Sequence, residues 1–263
     1  MDVEHKIVRK YTYNERKLVM LDNRKIMVIG FCGAAKSGKD SAVNALADSL
    51  AALNVLRKKM AFADPIRQIA GIFGFSDQVL SDQACKEHWA HPWLTEYSNG
   101  KNIPVTPRRF MQLVGSEMFR NNLHPNVWVD FLSSKIDELN NELNNDNYMN
   151  GYKLRDEPRQ DVWSPKAVVL ISDVRFPNEA EMIRKRGGYI FRITRNTQQD
   201  QNGEWRKHES EKFVDELSVN LGILNSASSL MDWRGKSVRD ISEFLRKEKV
   251  DFTNSVYDKS IPV

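Results

Sequence analysis

Apolar residues in this chain fall into short continuous runs that alternate with segments of helical spacing. Ile26-Met27-Val28-Ile29-Gly30-Phe31-Cys32 is an apolar run of strand length, and a glycine-containing turn follows it. After the turn, Val43, Leu46, Ala47, Leu50 and Leu53 recur on one helical face. The opening therefore reads as strand–loop–helix. Met60-Ala61-Phe62 is expected to be a second short strand, stopped by Asp64-Pro65, with a helix over 66–75. Residues 76–105 hold Pro92, Pro104, Gly100 and several aromatic residues without clear period. They read as an insertion or a mobile cover.

Thr106-Pro107 is a strong helix start, with a hydroxyl at the N-cap and proline in the first turn. In the helix that follows, Phe110, Leu113, Val114 and Met118 are expected on one face, with Arg108, Arg109, Gln112 and Ser116 opposite. A further helix over Val127–Leu143 runs into the asparagine-rich stretch Asn140–Asn150. With the polar segment up to Pro165, that stretch reads as a surface loop.

Ala167-Val168-Val169-Leu170-Ile171-Ser172 is the clearest strand, ending at Asp173. Its unbroken apolar character fits a central parallel strand covered on both faces. Then come a helix over Asn178–Arg186, the pair Gly187-Gly188, and a strand over Tyr189–Thr194. A polar stretch over 196–212 leads to a strand near Val219–Leu224 and a last helix over about Val238–Lys247. Strands alternating with helices predict an α/β fold built on a parallel sheet. No internal repeat is present.

Length and charge narrow the picture only modestly. The 263 residues suffice for one full core. The net charge of +4 and pI near 8.9 suit anionic ligands. No long Lys/Arg run suggests the concentrated patch of a dedicated nucleic-acid binder, so stable nucleic-acid binding is not expected. Two cysteines, Cys32 and Cys85, make no disulfide framework and point to a reducing cytoplasm. No stretch reaches the ~18 apolar residues of a transmembrane helix. Residues 1–24 read as a charged extension without the features of a secretory signal.

The candidate chemistry begins at Gly33-Ala34-Ala35-Lys36-Ser37-Gly38-Lys39-Asp40, which matches G-x-x-x-x-G-K with Asp where Ser or Thr is usual. Such a loop wraps backbone N–H groups around phosphate oxygens. The following helix adds its positive N-terminus, and the lysine reaches the β- and γ-phosphates. Gly33, Ser37, Gly38, Lys39, Asp40 and Ser41 are therefore the expected set that binds nucleoside triphosphate. The usual hydroxyl at the Asp40 position ligates Mg²⁺. A carboxylate is also a hard oxygen ligand, so either Asp40 takes that role or Ser41 supplies the hydroxyl; the alternative is that Asp40 only caps the helix. Asp173, at the carboxyl end of a central strand, stands where ligands of α/β sheets bind and is the second candidate Mg²⁺ ligand.

A P-loop alone specifies no second substrate. The polar helix face of Arg108, Arg109, Gln112 and Ser116 offers two guanidiniums for a phosphate, although a charged face is more often simply solvated. A wider set of segments occurs in order along the chain. It comprises Gly33–Ser41, Phe62-Ala63-Asp64-Pro65, Arg108-Arg109-Phe110-Met111-Gln112-Leu113-Val114-Gly115-Ser116, Asn121-Asn122 with Trp128, Asp173-Val174-Arg175 and His208-Glu209-Ser210-Glu211. Together these resemble the deoxynucleoside monophosphate kinases of large tailed bacteriophages. That family also carries Asp after the P-loop lysine, an R-x-x-M-Q-x-x-G-[ST] helix, a D-x-R strand end and an H-x-[ST]-E element. The resemblance spans roughly 26–245.

The resemblance implies a P-loop NTPase of nucleoside-monophosphate-kinase-like fold, with 25–263 as one domain. The resemblance does not anchor 76–105 or the asparagine-rich loop; about 76–165 is expected to be an acceptor-binding insertion and about 196–212 a lid-like segment. It further implies ATP as phosphate donor, Mg²⁺ as cofactor, a deoxynucleoside monophosphate as acceptor, a homodimer, and the host cytoplasm as location if phage-encoded. Arg108, Arg109, Gln112, Gly115 and Ser116 would grip the acceptor, and Arg175 would bridge the transferring phosphates. Trp128 would stand near the acceptor base or sugar, or else in the core. Glu179 would contact substrate or only favour its helix dipole. Arg195 would contact ATP, and His208 and Glu211 would belong to a lid. Lys39, Arg108, Arg109, Asp173 and Arg175 are the expected catalytic set. Two other readings remain open. One is a P-loop kinase of another phosphorylated metabolite, resembling phosphomevalonate or dephospho-coenzyme A kinases; the other is a nucleotide-gated protein acting on DNA.

Overall fold

The strand that leads into the P-loop lies at the centre of a parallel sheet. The structure, a computed structural model, describes residues 25–144, 162–195 and 213–252. Strand β1 (Ile26–Cys32) leads through the loop to helix α1 (Lys39–Ala52), and β2 (Leu56–Met60) follows. Next come α2 (Asp64–Ile72), the short helices α3 (Asp77–Ser81) and α4 (Gln83–His88), and the hairpin β3 (Thr95–Ser98) and β4 (Lys101–Pro104). Helix α5 (Pro107–Gln112) continues directly into a π-helix (Leu113–Arg120), and α6 (Val127–Asn144) follows. The remaining elements are β5 (Ala167–Ile171), α7 (Pro177–Lys185), β6 (Tyr189–Thr194), β7 (Leu221–Leu224) and α8 (Leu230–Lys247).

The main sheet has the order β2-β5-β1-β6-β7, with every pairing parallel. Side chains of alternating parity leave β1 and β5 on opposite faces, and both faces are covered. Met27, Ile29, Phe31, Val168 and Leu170 pack with α1 and α8. Val28, Cys32, Val169 and Ile171 pack with α6 and α7. This is why β1 and β5 read as unbroken apolar runs. From β1 the chain crosses to β2 on one side, and from β5 it crosses to β6 on the other. The crevice between the carboxyl ends of β1 and β5 is thus a topological switch point, where open α/β sheets bind ligands.

Several boundaries differ from the sequence expectation. The second strand is Leu56–Met60, upstream of the expected Met60-Ala61-Phe62. It is an edge strand whose Arg57, Lys58 and Lys59 are exposed, so it lacks an apolar run. The 76–105 segment is folded. Its residues Leu80 and Val105 join Ile66, Phe75, Phe110 and Trp128 in a third apolar cluster. His91 accepts Leu94 N–H on Nδ1 at 3.0 Å and pairs with the Phe73 carbonyl through Nε2 at 2.8 Å. The turn of the hairpin is Asn99-Gly100, both at positive φ, the usual two-residue hairpin signal. Helix α8 starts at Leu230, eight residues before the expected start, where the Ser229 hydroxyl caps Asp232 N–H. The expected extension over 1–24, most of the asparagine-rich loop and the lid-like 196–212 segment lie outside the described residues.

Candidate active site

The P-loop is fixed from both sides. Gly33 has φ 145°, and a Cβ there would stand 2.3 Å from the Ile193 carbonyl oxygen. Gly38 has φ 97°, and a Cβ there would meet Asn225 Nδ2 at 2.5 Å and Trp233 Nε1 at 2.8 Å. A side chain at either position is excluded by backbone conformation and by space at once. The Asn225 amide donates to the Ser37 carbonyl at 3.0 Å, and the Trp233 indole N–H donates to the Gly38 carbonyl at 2.9 Å. With its carbonyls tied backward, the loop is free to turn N–H groups towards a ligand. Lys39 opens α1 and folds over the loop, its Nζ 3.4 Å from the Ala34 carbonyl. Ser37 Oγ is buried and has no hydrogen-bond partner among the described residues.

A cleft of about 340 Å³ opens beside this loop. Lys39 and Asp40 line one wall, Asp173 and Arg175 the floor after β5, and Arg108, Gln112, Gly115 and Ser116 the opposite wall. Trp128 and Glu179 also reach it. Residues far apart in sequence thus meet at the switch point of the sheet.

The acceptor-side wall has an unexpected helical form. Asn121 N–H bonds the Ser116 carbonyl at 2.8 Å, five residues back, as the π-helix requires. In an α-helix a step of four residues overshoots one turn by about 40°, whereas a π-helical turn takes more than four residues. The α- and π-segments therefore drift oppositely, and Arg108, Gln112, Ser116 and Arg120, spaced by four, all face the cleft. The same widening corrects the apolar face. Met118 is 59% exposed, and Phe119 packs into the third cluster against Trp128, with ring centroids 5.1 Å apart.

Other expected site residues fall elsewhere. Arg109 does not line the cleft. It follows Arg108 in a helix, so its side chain leaves about 100° around the axis. It donates to Glu96 of the hairpin from Nε at 2.7 Å and is also paired with Glu117. These two carboxylates hold the Arg109 pKa above its ordinary value. Ser41, next to Asp40 on α1, is half-buried and likewise does not line the cleft. Arg195 is exposed just past β6, on the far side of the P-loop from Asp173. Gly33, Ser37 and Gly38 form the base of the loop behind the cleft. His208 and Glu211 lie outside the described residues. Trp128 belongs to both places at issue: it is 5% exposed in the third cluster, donates Nε1–H to the Gly115 carbonyl at 2.7 Å, and lines the cleft.

Two carboxylates are built into the floor. Asp173 accepts Phe62 N–H and Ala63 N–H, one on each oxygen, both at 2.9 Å. These bonds clamp the end of β5 to the turn after β2. Withdrawal from water raises the Asp173 pKa against the pull of those amides and of Arg175. Glu179, in the first turn of α7, accepts Arg175 N–H at 2.7 Å and Phe176 N–H at 3.0 Å on one oxygen. Its other oxygen accepts from Arg120 at 3.0 Å. Burial and Asp173 push the Glu179 pKa up to about 7, against Arg120 and the two amides.

Arg120 was not expected from sequence. Its guanidinium lies 3.8 Å over the Phe176 ring, and its Nε is buried without a partner, as is that of Arg108. The four-residue repeat from Arg108 could have pointed to it. Arg67 and Lys86 also line the cleft and carried no local signal.

The donor set suits a Mg²⁺ ion that travels with nucleotide phosphates. Asp40 and Asp173 present hard oxygens to the cleft. Among the described residues, no three His, Cys, Asp or Glu side chains form a metal cage. Mg²⁺ characteristically takes one or two carboxylates plus substrate phosphates and water, and the residues present fit that pattern.

This architecture defines the class: a P-loop protein with a nucleoside-monophosphate-kinase-like parallel sheet flanked by helices. Comparison with known proteins narrows it. The chain is 31% identical over 172 residues to a protein of Acanthamoeba polyphaga mimivirus named "Putative deoxynucleotide monophosphate kinase", covering 65% of this chain and 75% of that protein. It is 23% identical over 207 residues to the deoxynucleoside-5'-monophosphate kinase of Escherichia phage T5, covering 60% of this chain and 72% of that protein. No protein-family model matches the chain. The chain belongs to the deoxynucleotide monophosphate kinase family. No helix among the described residues is long and apolar enough to cross a membrane.

Proposed function

We propose that the protein transfers the γ-phosphoryl group of ATP to deoxynucleoside 5'-monophosphates, yielding diphosphates. The observation that carries this reading is the single cleft in which Lys39 of the P-loop faces Arg108, Gln112 and Ser116. Two polyanions can enter that cleft from opposite walls and meet over Asp173 and Arg175. Family membership and the names of both relatives support the same acceptor class. The alternative metabolite-kinase and DNA-associated readings receive no comparable support.

The chemistry asks mainly for alignment and charge neutralisation. The P-loop N–H groups and Lys39 hold the donor phosphates. Arg108, Gln112 and Ser116 hold the acceptor phosphate, and Arg175 reaches the phosphates between them. Asp40 and Asp173 would hold a Mg²⁺ ion, which would offset negative charge on the donor phosphates. The acceptor phosphate is already ionised, so no strong general base is needed. Asp173 and Glu179 act first as scaffolds, tying Phe62, Ala63, Arg175 and Arg120 around the reacting centre. Arg109 secures the hairpin to the acceptor wall.

Discrimination against ribose fits the same wall. Trp128 has already committed its only donor to Gly115, and Ile66, Leu80 and Met111 add apolar lining. A 2'-hydroxyl buried there without a partner costs roughly 1–3 kcal/mol, or about one to two decades of selectivity. The test is ADP release with each deoxynucleotide beside its ribonucleotide. A clear excess in kcat/KM for the deoxy forms is expected. Equal rates for dGMP and GMP, and for dCMP and CMP, would refute the preference. Turnover of neither set would refute the kinase reading. We further propose a homodimer, to be checked by sedimentation.

A further inference from the structure

Besides Lys39, the cleft is lined by Lys36, Arg67, Lys86, Arg108, Arg120 and Arg175. Some of this charge is already engaged: Arg108 pairs with Glu87 at 3.0 Å, and Arg67 Nη1 lies 3.4 Å from the Leu80 carbonyl. Lys86 differs. It comes from α4, within the segment inserted after α2, and is half-buried in the cleft wall. Its backbone N–H donates to the Asp82 carbonyl at 3.0 Å, but among the described residues its ammonium makes no hydrogen bond and no ion pair, and it interacts electrostatically with groups on both sides of the cleft. Arg67, Arg108 and Arg175 repel it from the acceptor wall and floor, and Asp40 attracts it from the head of α1. Asp82, one turn earlier on the exposed side, gives its carboxylate to Cys85 N–H.

Desolvation in the cleft wall disfavours the charge of this ammonium, and the three guanidiniums add to this. Such an arrangement is offset when a highly charged anion occupies the space between the cations. The position also fixes which anion. Lys86 lines the same cleft as Lys39 and Asp40 of the P-loop helix and as Arg108 and Arg175 of the acceptor wall and floor, so it stands between the two nucleotide sites.

We propose that Lys86 is a catalytic residue whose ammonium binds the phosphoryl group in transit between the P-loop nucleotide and the acceptor phosphate. This rests on the kinase reading above. In the step, an oxygen of the acceptor phosphate forms a bond to the γ-phosphorus of ATP. The bond from that phosphorus to the β,γ-bridging oxygen breaks, and its electron pair leaves on ADP. No proton moves. Lys86 contacts the equatorial oxygens, where negative charge is concentrated as the bonds exchange.

The experiment compares wild type, Lys86→Met and Lys86→Arg in the full chain, with Mg-ATP and a deoxynucleotide panel. Calorimetric binding of inorganic tripolyphosphate is measured alongside. Lys86→Met keeps the aliphatic stem and removes a repelled charge, so its melting temperature should equal or exceed that of wild type. Its kcat should fall by about 10²–10³-fold, with the KM of ATP and of the deoxynucleotide changed far less. Lys86→Arg should recover part of kcat, and tripolyphosphate should bind less tightly to Lys86→Met. An unchanged kcat, or a raised deoxynucleotide KM at unchanged kcat, would overturn the Lys86 assignment and leave the kinase reading intact. A wild type that binds tripolyphosphate through Lys86 but phosphorylates no deoxynucleotide would instead overturn the kinase reading, and with it the catalytic role.

Discussion

The indole N–H of Trp233 donates to the carbonyl of Gly38 at 2.9 Å, although the residues are 195 positions apart. With Asn225 on the Ser37 carbonyl, it pins the P-loop from behind, and neither side chain lines the cleft. Removing one such bond typically costs about 0.5–1.5 kcal/mol, roughly two- to twelvefold in an equilibrium. Asn225→Ala is therefore expected to raise the KM for ATP by about that factor while sparing the KM of the deoxynucleotide. Equal rises in both constants would mean that Asn225 supports the cleft as a whole.

Lys39→Ala is expected to remove at least ~10³ of turnover, the scale of losing a transition-state charge partner. Folding should persist, because the lysine acts chiefly on phosphate charge and its bond to the Ala34 carbonyl is long, at 3.4 Å. Steady-state rates together with a circular dichroism melt check both halves, and near-normal turnover would sink the P-loop assignment.

Arg108 and Arg109 should separate cleanly. Arg108→Ala is expected to raise the deoxynucleotide KM by tenfold or more with ATP binding intact, since its guanidinium lines the cleft. Arg109→Ala should act through stability, by about 1 kcal/mol or less, because its pairs with Glu96 and Glu117 are about one-third to one-half exposed and screened. Parallel kinetics and urea titrations distinguish them. An acceptor KM that responds to Arg109 alone would reverse the assignment.

Glu179 should leave a pH signature. Its pKa in the fold is about 7, against 4.5 for a free side chain, so the native state holds this proton more tightly. That contribution is fully present below about pH 4.5 and is lost as pH rises to about 7; at ~1.4 kcal/mol per unit it amounts to about 3 kcal/mol. The melting temperature of wild type relative to Glu179→Gln should therefore fall across this window. A flat difference would show Glu179 ionised throughout, held by Arg120 and the two amides.

The sequence by itself determined the frame. Strand β1 begins and ends where its apolar run does, because a strand covered on both faces must be apolar throughout. The P-loop was legible for a related reason: Gly33 and Gly38 satisfy a local backbone requirement that no other residue meets. Thr106-Pro107 likewise marked the start of α5, where the Thr106 hydroxyl accepts Arg109 N–H at 3.2 Å. Each of these signals is local in the chain. Tertiary structure alone decided what depends on rotation and distance. Nothing in the 106–120 segment announces a π-helix, yet the wider turn sends Met118 outward, brings Phe119 inward and aims Arg120 at the cleft. The turn from Arg108 to Arg109 sets one arginine in the site and the other on Glu96, and that choice needs the hairpin in place. Arg67, Lys86, Asn225 and Trp233 acquire their positions only when the sheet closes, because contacts across such separations leave no period in the chain.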